Sequence, residues 1–239
     1  MDKKALIIVI VVCSVIAVTI ILLTLLFLFS IGVFSKDKKE DDAEWYSFKF
    51  KKPEEQFGNS GEKQVASGLK VVADTLGGYL YNSLCFVDDM GYSTEIDHVL
   101  VTRAGLFVIE TKTMNGTITG SYSSENWTCV RTSKPYQKSF PNPIIQNQGH
   151  INHLKRMLKN PNIKIYSVVI FPISNISHIN CDGVFTLKSA INYIKNIVMN
   201  STNSDEYIER LHKEIDYIAS FCSISKEQHV QNINRIYDR

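Results

Sequence analysis

The sequence predicts an α/β domain, a mixed central sheet flanked by helices, preceded by one transmembrane helix. Three observations carry this. Residues Ala5 to Phe34 form one uncharged apolar run. The stretch Ile96 to Lys112, IDHVLVTRAGLFVIETK, reads as two apolar strands around a short turn, Thr102 to Gly105, whose glycine permits positive φ. Around that hairpin the hydrophobic period passes from helical to extended and back, in the order helix, strands, helix, strand, helices.

The chain of 239 residues holds a membrane segment, one domain of ordinary size and a modest extension. Ala5 to Phe34 is dominated by Ile, Val, Leu and Phe, interrupted by Ser14, Thr19, Thr24, Ser30 and Gly32. About twenty such residues cross a bilayer core, so the run is long enough with room for tilt. A secretory signal has a shorter apolar core, about 7 to 15 residues, and a small-residue cleavage site. Neither is seen, and residues 1–34 are read as an uncleaved anchor in the lipid bilayer. Residues 35–55 follow as a charged juxtamembrane linker, with lysines at both ends and an acidic centre.

Gly61 to Leu76 reads as a helix, because Val65, Leu69, Val72 and Leu76 recur at three- and four-residue steps. Glu62 would then stand in its first turn, where a carboxylate complements the helix dipole. Tyr79 to Val87 reads as a strand and Asp88 to Tyr92 as a turn before the hairpin. Short strands are expected around Thr117 to Tyr122 and Trp127 to Arg131, with Trp127 read as core packing before base stacking. Thr132 to Asn142 is polar and reads as a loop, in which Lys134 and Lys138 alternate with Tyr136 and Phe140. Pro143 opens a helix to about Lys159, with Ile144, Ile151, Leu154 and Leu158 on its apolar face and Gln146 and His150 at the border. A lone helical histidine is usually structural, and His150 is left outside the catalytic set. Ile163 to Phe171 is a further strand, and Thr186 to Met199 and Asp205 to Phe221 are closing helices. Residues 173–239 are thus a C-terminal helical extension ending in a polar tail.

Composition excludes some classes. A net charge of +2 lacks the strongly basic balance of a chain that is cationic throughout, so any nucleic-acid surface must be local. The 5 cysteines, Cys13, Cys85, Cys129, Cys181 and Cys222, form no CxxC pair, which argues for separate reduced thiols instead of a disulfide framework or zinc site.

The hairpin carries charge where apolar strands should not. Asp97 lies on the first strand, and Glu110 and Lys112, two apart, share a face of the second, with Thr111 on the other. A carboxylate buried without a partner or metal costs several kcal/mol in desolvation, so the pattern asks for a cation. Asp97 followed by Glu110-Thr111-Lys112 resembles the active site of the PD-(D/E)xK nuclease superfamily. With Gly61-Glu62, Ile96-Asp97-His98, Gly105, Gly116, Trp127 and Asn142-Pro143 followed by Gln146, residues 56–172 resemble the nuclease-related domain.

The resemblance implies a restriction-endonuclease-like core and a phosphodiesterase that uses Mg²⁺ or Mn²⁺, with DNA the expected substrate. Asp97, Glu110, the Thr111 carbonyl and Glu62 would be the metal ligands, and Asp97, Glu110, Lys112 and Gln146 the catalytic set. Oxygen donors suit a hard cation. Lys112 would either orient or deprotonate the nucleophilic water, or stabilise the transition state as a fixed cation. Lys134, Lys138, Lys155 and Arg156 are candidate phosphate contacts. Lysines flank the apolar run on both sides. Thiol content and the need for nucleic acid therefore decide the orientation: a single-pass cell-membrane protein with its large domain in the cytoplasm. The alternatives are a non-catalytic nucleic-acid-binding or scaffolding module on the membrane, and a buried ion-pair network without metal.

Overall fold

The computed structural model describes residues 58–131 and 136–237. The expected anchor and linker lie outside the described residues. Among the described residues no helix is long and apolar enough to cross a membrane.

Helix α1 (Gly58–Leu76) leads into an antiparallel meander of β1 (Tyr79–Val87), β2 (Ser93–Thr102) and β3 (Gly105–Thr111). After a small three-stranded sheet, β4 (Thr117–Thr119), β5 (Asn126–Arg131) and β6 (Tyr136–Pro141), helix α2 (Pro143–Met157) returns the chain to β7 (Ile165–Ile170), which pairs parallel with β3. A short β8 (Val184–Phe185) extends the main sheet, giving the order β1-β2-β3-β7-β8. Helices α3 (Leu187–Met199), α4 (Asp205–Phe221) and α5 (Lys226–Tyr237) close the chain. The sheet is mixed and flanked by helices.

The buried strand β3 fixes the layers. Its Leu106 and Val108 face α2 and α4, joining Ile151, Leu154, Ile208, Leu211, Ile215 and Ile218. Its Phe107 and Ile109 face α1 and α3, joining Val65, Leu69, Val72, Ala190, Ile194 and Val198. Both faces therefore take a helix from residues beyond 173, and the C-terminal segment is part of the core. The extended stretch before α5 also borders β1, where Ile224 N–H donates to Cys85 O at 3.1 Å. Lys226 pairs with Glu95 on β2 at 2.7 Å.

Three expectations shift. The segment read as a polar loop after Arg131 contains β6, which pairs with β5 and buries Phe140 against Trp127 and Phe171. Its outward face carries Gln137 and Ser139, and a polar outer face on an edge strand imitates a loop in sequence. Helix α1 starts at Gly58, so Glu62 lies past the first turn and the dipole does not account for it. Gly61 is required there because a Cβ would stand 2.0 Å from Thr113 Oγ1, so the helix passes directly over the residue following Lys112. Helix α2 ends at Met157, with Leu158 already extended, as suits a chain approaching Pro161.

The alternation of β1 and β2 slips where they cross. Tyr79 and Tyr81, then Leu84 and Phe86, all join the α2–α4 cluster, as do Ile96 and then Val99 and Val101. The slip falls at Ser83, in the left-handed region at φ 49°, and at Asp97, between the pairs Asn82–His98 and Leu84–Ile96. The strands keep their register while rotating about this position.

If the C-terminal helices belong to the core, a chain ending at Pro172 should lose its cooperative melting transition by near-UV circular dichroism. In the full chain, Ile215→Ala should cost about 2 to 5 kcal/mol in urea denaturation, as truncation of a fully buried aliphatic does.

Candidate active site

The ladder between β2 and β3 ends at the pair His98–Ile109. One step on, Asp97 and Glu110 come level, and the Thr111 N–H donates to Asp97 Oδ2 at 2.7 Å instead of to backbone. On the other side the Lys112 N–H bonds to Ile170 O at 2.9 Å. An extended residue presents its N–H and C=O to the same side, so the Thr111 carbonyl also points toward Asp97.

Glu110 is 3% exposed and is held by two groups. Lys112 Nζ lies 2.5 Å from its Oε1. His150 Nε2, buried and otherwise unpartnered, lies 3.3 Å from its Oε2. Lys112 Nζ also donates to Gln146 Oε1 at 2.8 Å, and His150 Nδ1 meets Thr94 Oγ1 at 2.9 Å. Gln146 and His150, four apart on α2, thus reach the same strand end from above.

The electrostatics are uneven. Burial and the neighbouring Glu110 push the Asp97 carboxyl well above the usual carboxylate range, against the pull of the Thr111 amide and Lys112. Burial would raise Glu110 too, but Lys112 and His150 outweigh it and hold Glu110 below its ordinary value. Burial pulls Lys112 down, yet Glu110, then Asp97 and Glu62, outweigh it and hold the ammonium above its ordinary value. The two carboxylates thus favour the charged form of Lys112 in this arrangement. Glu62, from α1, contributes charge to both Asp97 and Lys112.

Two anchors place α2 over this strand end. Asn142 caps the helix, accepting from Ile144 N–H at 3.0 Å, while its amide donates to Ser124 O at 2.8 Å. Asn147, fully buried, donates to Val108 O and to Ser167 Oγ, both at 2.9 Å, and so ties α2 to β3 and β7.

Residues 57–172 match the nuclease-related domain. The chain is also 30% identical over 123 residues to an uncharacterized protein of Bacillus anthracis, across 52% of this chain and 57% of that one. It therefore spans just over half the length of that relative. No solved structure matches the chain. The matched stretch contains α1, β1 to β7 and α2, hence every residue of the strand-end cluster described above.

Of the residues expected from sequence, the structure gathers Asp97, Glu110, Thr111, Lys112 and Gln146, with Glu62 close enough to act on them by charge. The candidate phosphate contacts are not gathered there. Lys155 is exposed on the last turn of α2, Lys138 is partly buried on β6, and Lys134 lies outside the described residues. Arg156 turns inward, donating through Nε to Asp88 Oδ2 at 3.0 Å, beside His153 Nδ1 at 2.6 Å from the same oxygen. Sequence reasoning set His150 aside and did not single out Asn147. The signal for both was their place on the α2 face that also carries Gln146 and Ile151.

Burial would raise Asp88, but the hydrogen bonds from His153 and Arg156 outweigh it and bring its carboxyl to about 2, against 3.8 for the free group. A lowered carboxylate stabilises the fold above its unfolded pKa and loses that contribution as pH falls. Asp88 should therefore contribute a stability loss of about 2 kcal/mol between pH 4 and pH 2, and Asp88→Asn should shrink the wild-type loss by that amount. Arg156→Met should cost about 1 to 3 kcal/mol in thermal or urea melts, because it removes a charged hydrogen-bond donor from a carboxylate that keeps His153 and the Tyr92 amide.

Proposed function

We propose that the chain is a membrane-anchored nuclease that hydrolyses nucleic-acid phosphodiester bonds with Mg²⁺ or Mn²⁺, DNA being the expected substrate. The observation that carries this is the meeting of Asp97, Glu110 and Lys112 at one strand end of a nuclease-related stretch. The uncharged run 5–34 supports the bilayer anchor, and the need for nucleic acid supports a cytoplasmic domain.

The donor set fits a hard cation. Asp97 is destabilised as an anion by burial and by Glu110, a tension that a divalent ion between the two carboxylates would relieve. Among the described residues no three His, Cys, Asp or Glu side chains gather into a metal site. Mg²⁺ needs only one or two carboxylates, since it keeps several waters. Asp97 and Glu110 would hold the ion, with the Thr111 carbonyl beside Asp97 and Glu62 acting through water. When bound, such an ion neutralises phosphate charge and acidifies water. Lys112, charged and steadied by Gln146, would stabilise negative charge on the phosphate oxygens. Lys138 and Lys155 remain candidates for contacts along the nucleic-acid backbone, with Lys134 beyond the described residues.

One observation favours a second reading, a nucleic-acid-binding module without catalysis: Glu110 already has its charge met by Lys112. The two readings separate on substitution. In a nuclease, Asp97→Asn relieves repulsion, so it should melt at or above the wild-type temperature without metal, yet lose metal-dependent cleavage by about 10²-fold or more. Lys112→Met should lose cleavage to a similar degree, melt lower without metal and regain stability on adding Mg²⁺. Melts and cleavage assays with Mg²⁺, Mn²⁺ and chelator check both. Cleavage by no form, with metal-independent melting of the wild type, would leave the binding module.

A further inference from the structure

We infer that His150 sets which divalent cation the site accepts, by holding one carboxylate oxygen of Glu110 and leaving only the other to a cation. This rests on the proposed cation site. The two oxygens of Glu110 face different partners: Oε1 meets the long, flexible Lys112 side chain, and Oε2 meets the imidazole of His150. Lys112 has a second partner, Gln146 Oε1 at 2.8 Å, to keep when a cation takes Oε1. His150 is held in place, because its ring is 5% exposed, sits on a helix pinned by Asn147, and is tied at Nδ1 to Thr94 on β2.

The tautomer follows from the partners. Glu110, ion-paired with Lys112, can only accept at Oε2, so the 3.3 Å approach of His150 Nε2 is favourable when that nitrogen carries the hydrogen. Thr94, whose hydroxyl can donate to Nδ1, is the partner that permits this in the neutral ring. Asp97 is constrained in the same sense, since its Oδ2 accepts from the Thr111 amide. Each carboxylate thus offers one oxygen. Mg²⁺ and Mn²⁺ suit single-oxygen ligation in a six-fold shell filled by water, whereas Ca²⁺ takes six to eight oxygens and often both of one carboxylate. Holding Oε2 therefore disfavours Ca²⁺. The effect belongs to a positioning residue, acting through Glu110 as partners behind a metal ligand do.

The test is calorimetric binding of MgCl₂, MnCl₂ and CaCl₂ to the full chain, with no nucleic acid present. Wild type is expected to prefer Mg²⁺ or Mn²⁺ over Ca²⁺. His150→Leu should shrink that preference by about tenfold, mainly through tighter Ca²⁺ binding, and His150→Gln, which keeps a donor, should restore it. Thr94→Val should shrink it partway and decides the matter if His150→Leu does not fold. A lowered melting temperature with the Mg²⁺-to-Ca²⁺ ratio unchanged would mean that His150 only packs, and would overturn the inference while leaving the nuclease reading intact. Absence of cation binding by the wild type would overturn both.

Discussion

Two carboxylates brought level at the end of one hairpin, with one lysine to answer them, form the constraint on which the rest of this structure turns. Asp97 and Glu110 come from adjacent strands, Glu110 buried and Asp97 part-buried, where water screens them poorly. Lys112 pairs with Glu110 and leaves Asp97 with a backbone amide, so one acid is well satisfied and the other is held in tension. Such an imbalance costs stability and is the kind of arrangement that functional sites keep.

The surrounding fold serves to keep that strand end in place. Asn142 and Asn147 fix the start of α2, so that Gln146 and His150 arrive at Lys112 and Glu110. Farther along the same helix, Asp88 binds His153 and Arg156, which fastens α2 to the turn between β1 and β2. From the opposite face, Gly61 lets α1 lie against Thr113 and brings Glu62 within electrostatic reach. The C-terminal helices complete both hydrophobic layers, and Lys226 reaches Glu95, two residues before Asp97. A domain boundary drawn at residue 172 by family match therefore does not coincide with the edge of the packed unit.

Much of this was legible in the chain because charge in an apolar strand is conspicuous. Asp97, Glu110 and Lys112 interrupt runs of Val, Leu and Ile, and the Thr102–Gly105 turn fixes which strands pair. Less was legible where side chains play two parts. Arg156 reads as a surface cation because its partner, Asp88, is 68 residues away in sequence. His150 reads as an ordinary helical histidine because Thr94 and Glu110 lie on strands that only the fold brings to it. The slip at Ser83 left no trace, since a serine in the left-handed region looks like any other serine, and β6 was hidden by the polar residues of its outer face.

The account stands most directly on the state of Asp97. Carboxyl ¹³C chemical shifts of the protein, followed through a pH titration with and without Mg²⁺, would read that state residue by residue. Without the cation Asp97 should titrate well above the ordinary carboxylate range while Glu110 titrates below it, and Mg²⁺ should bring Asp97 down. An Asp97 that titrates as an ordinary surface carboxylate, unmoved by Mg²⁺, would contradict the account.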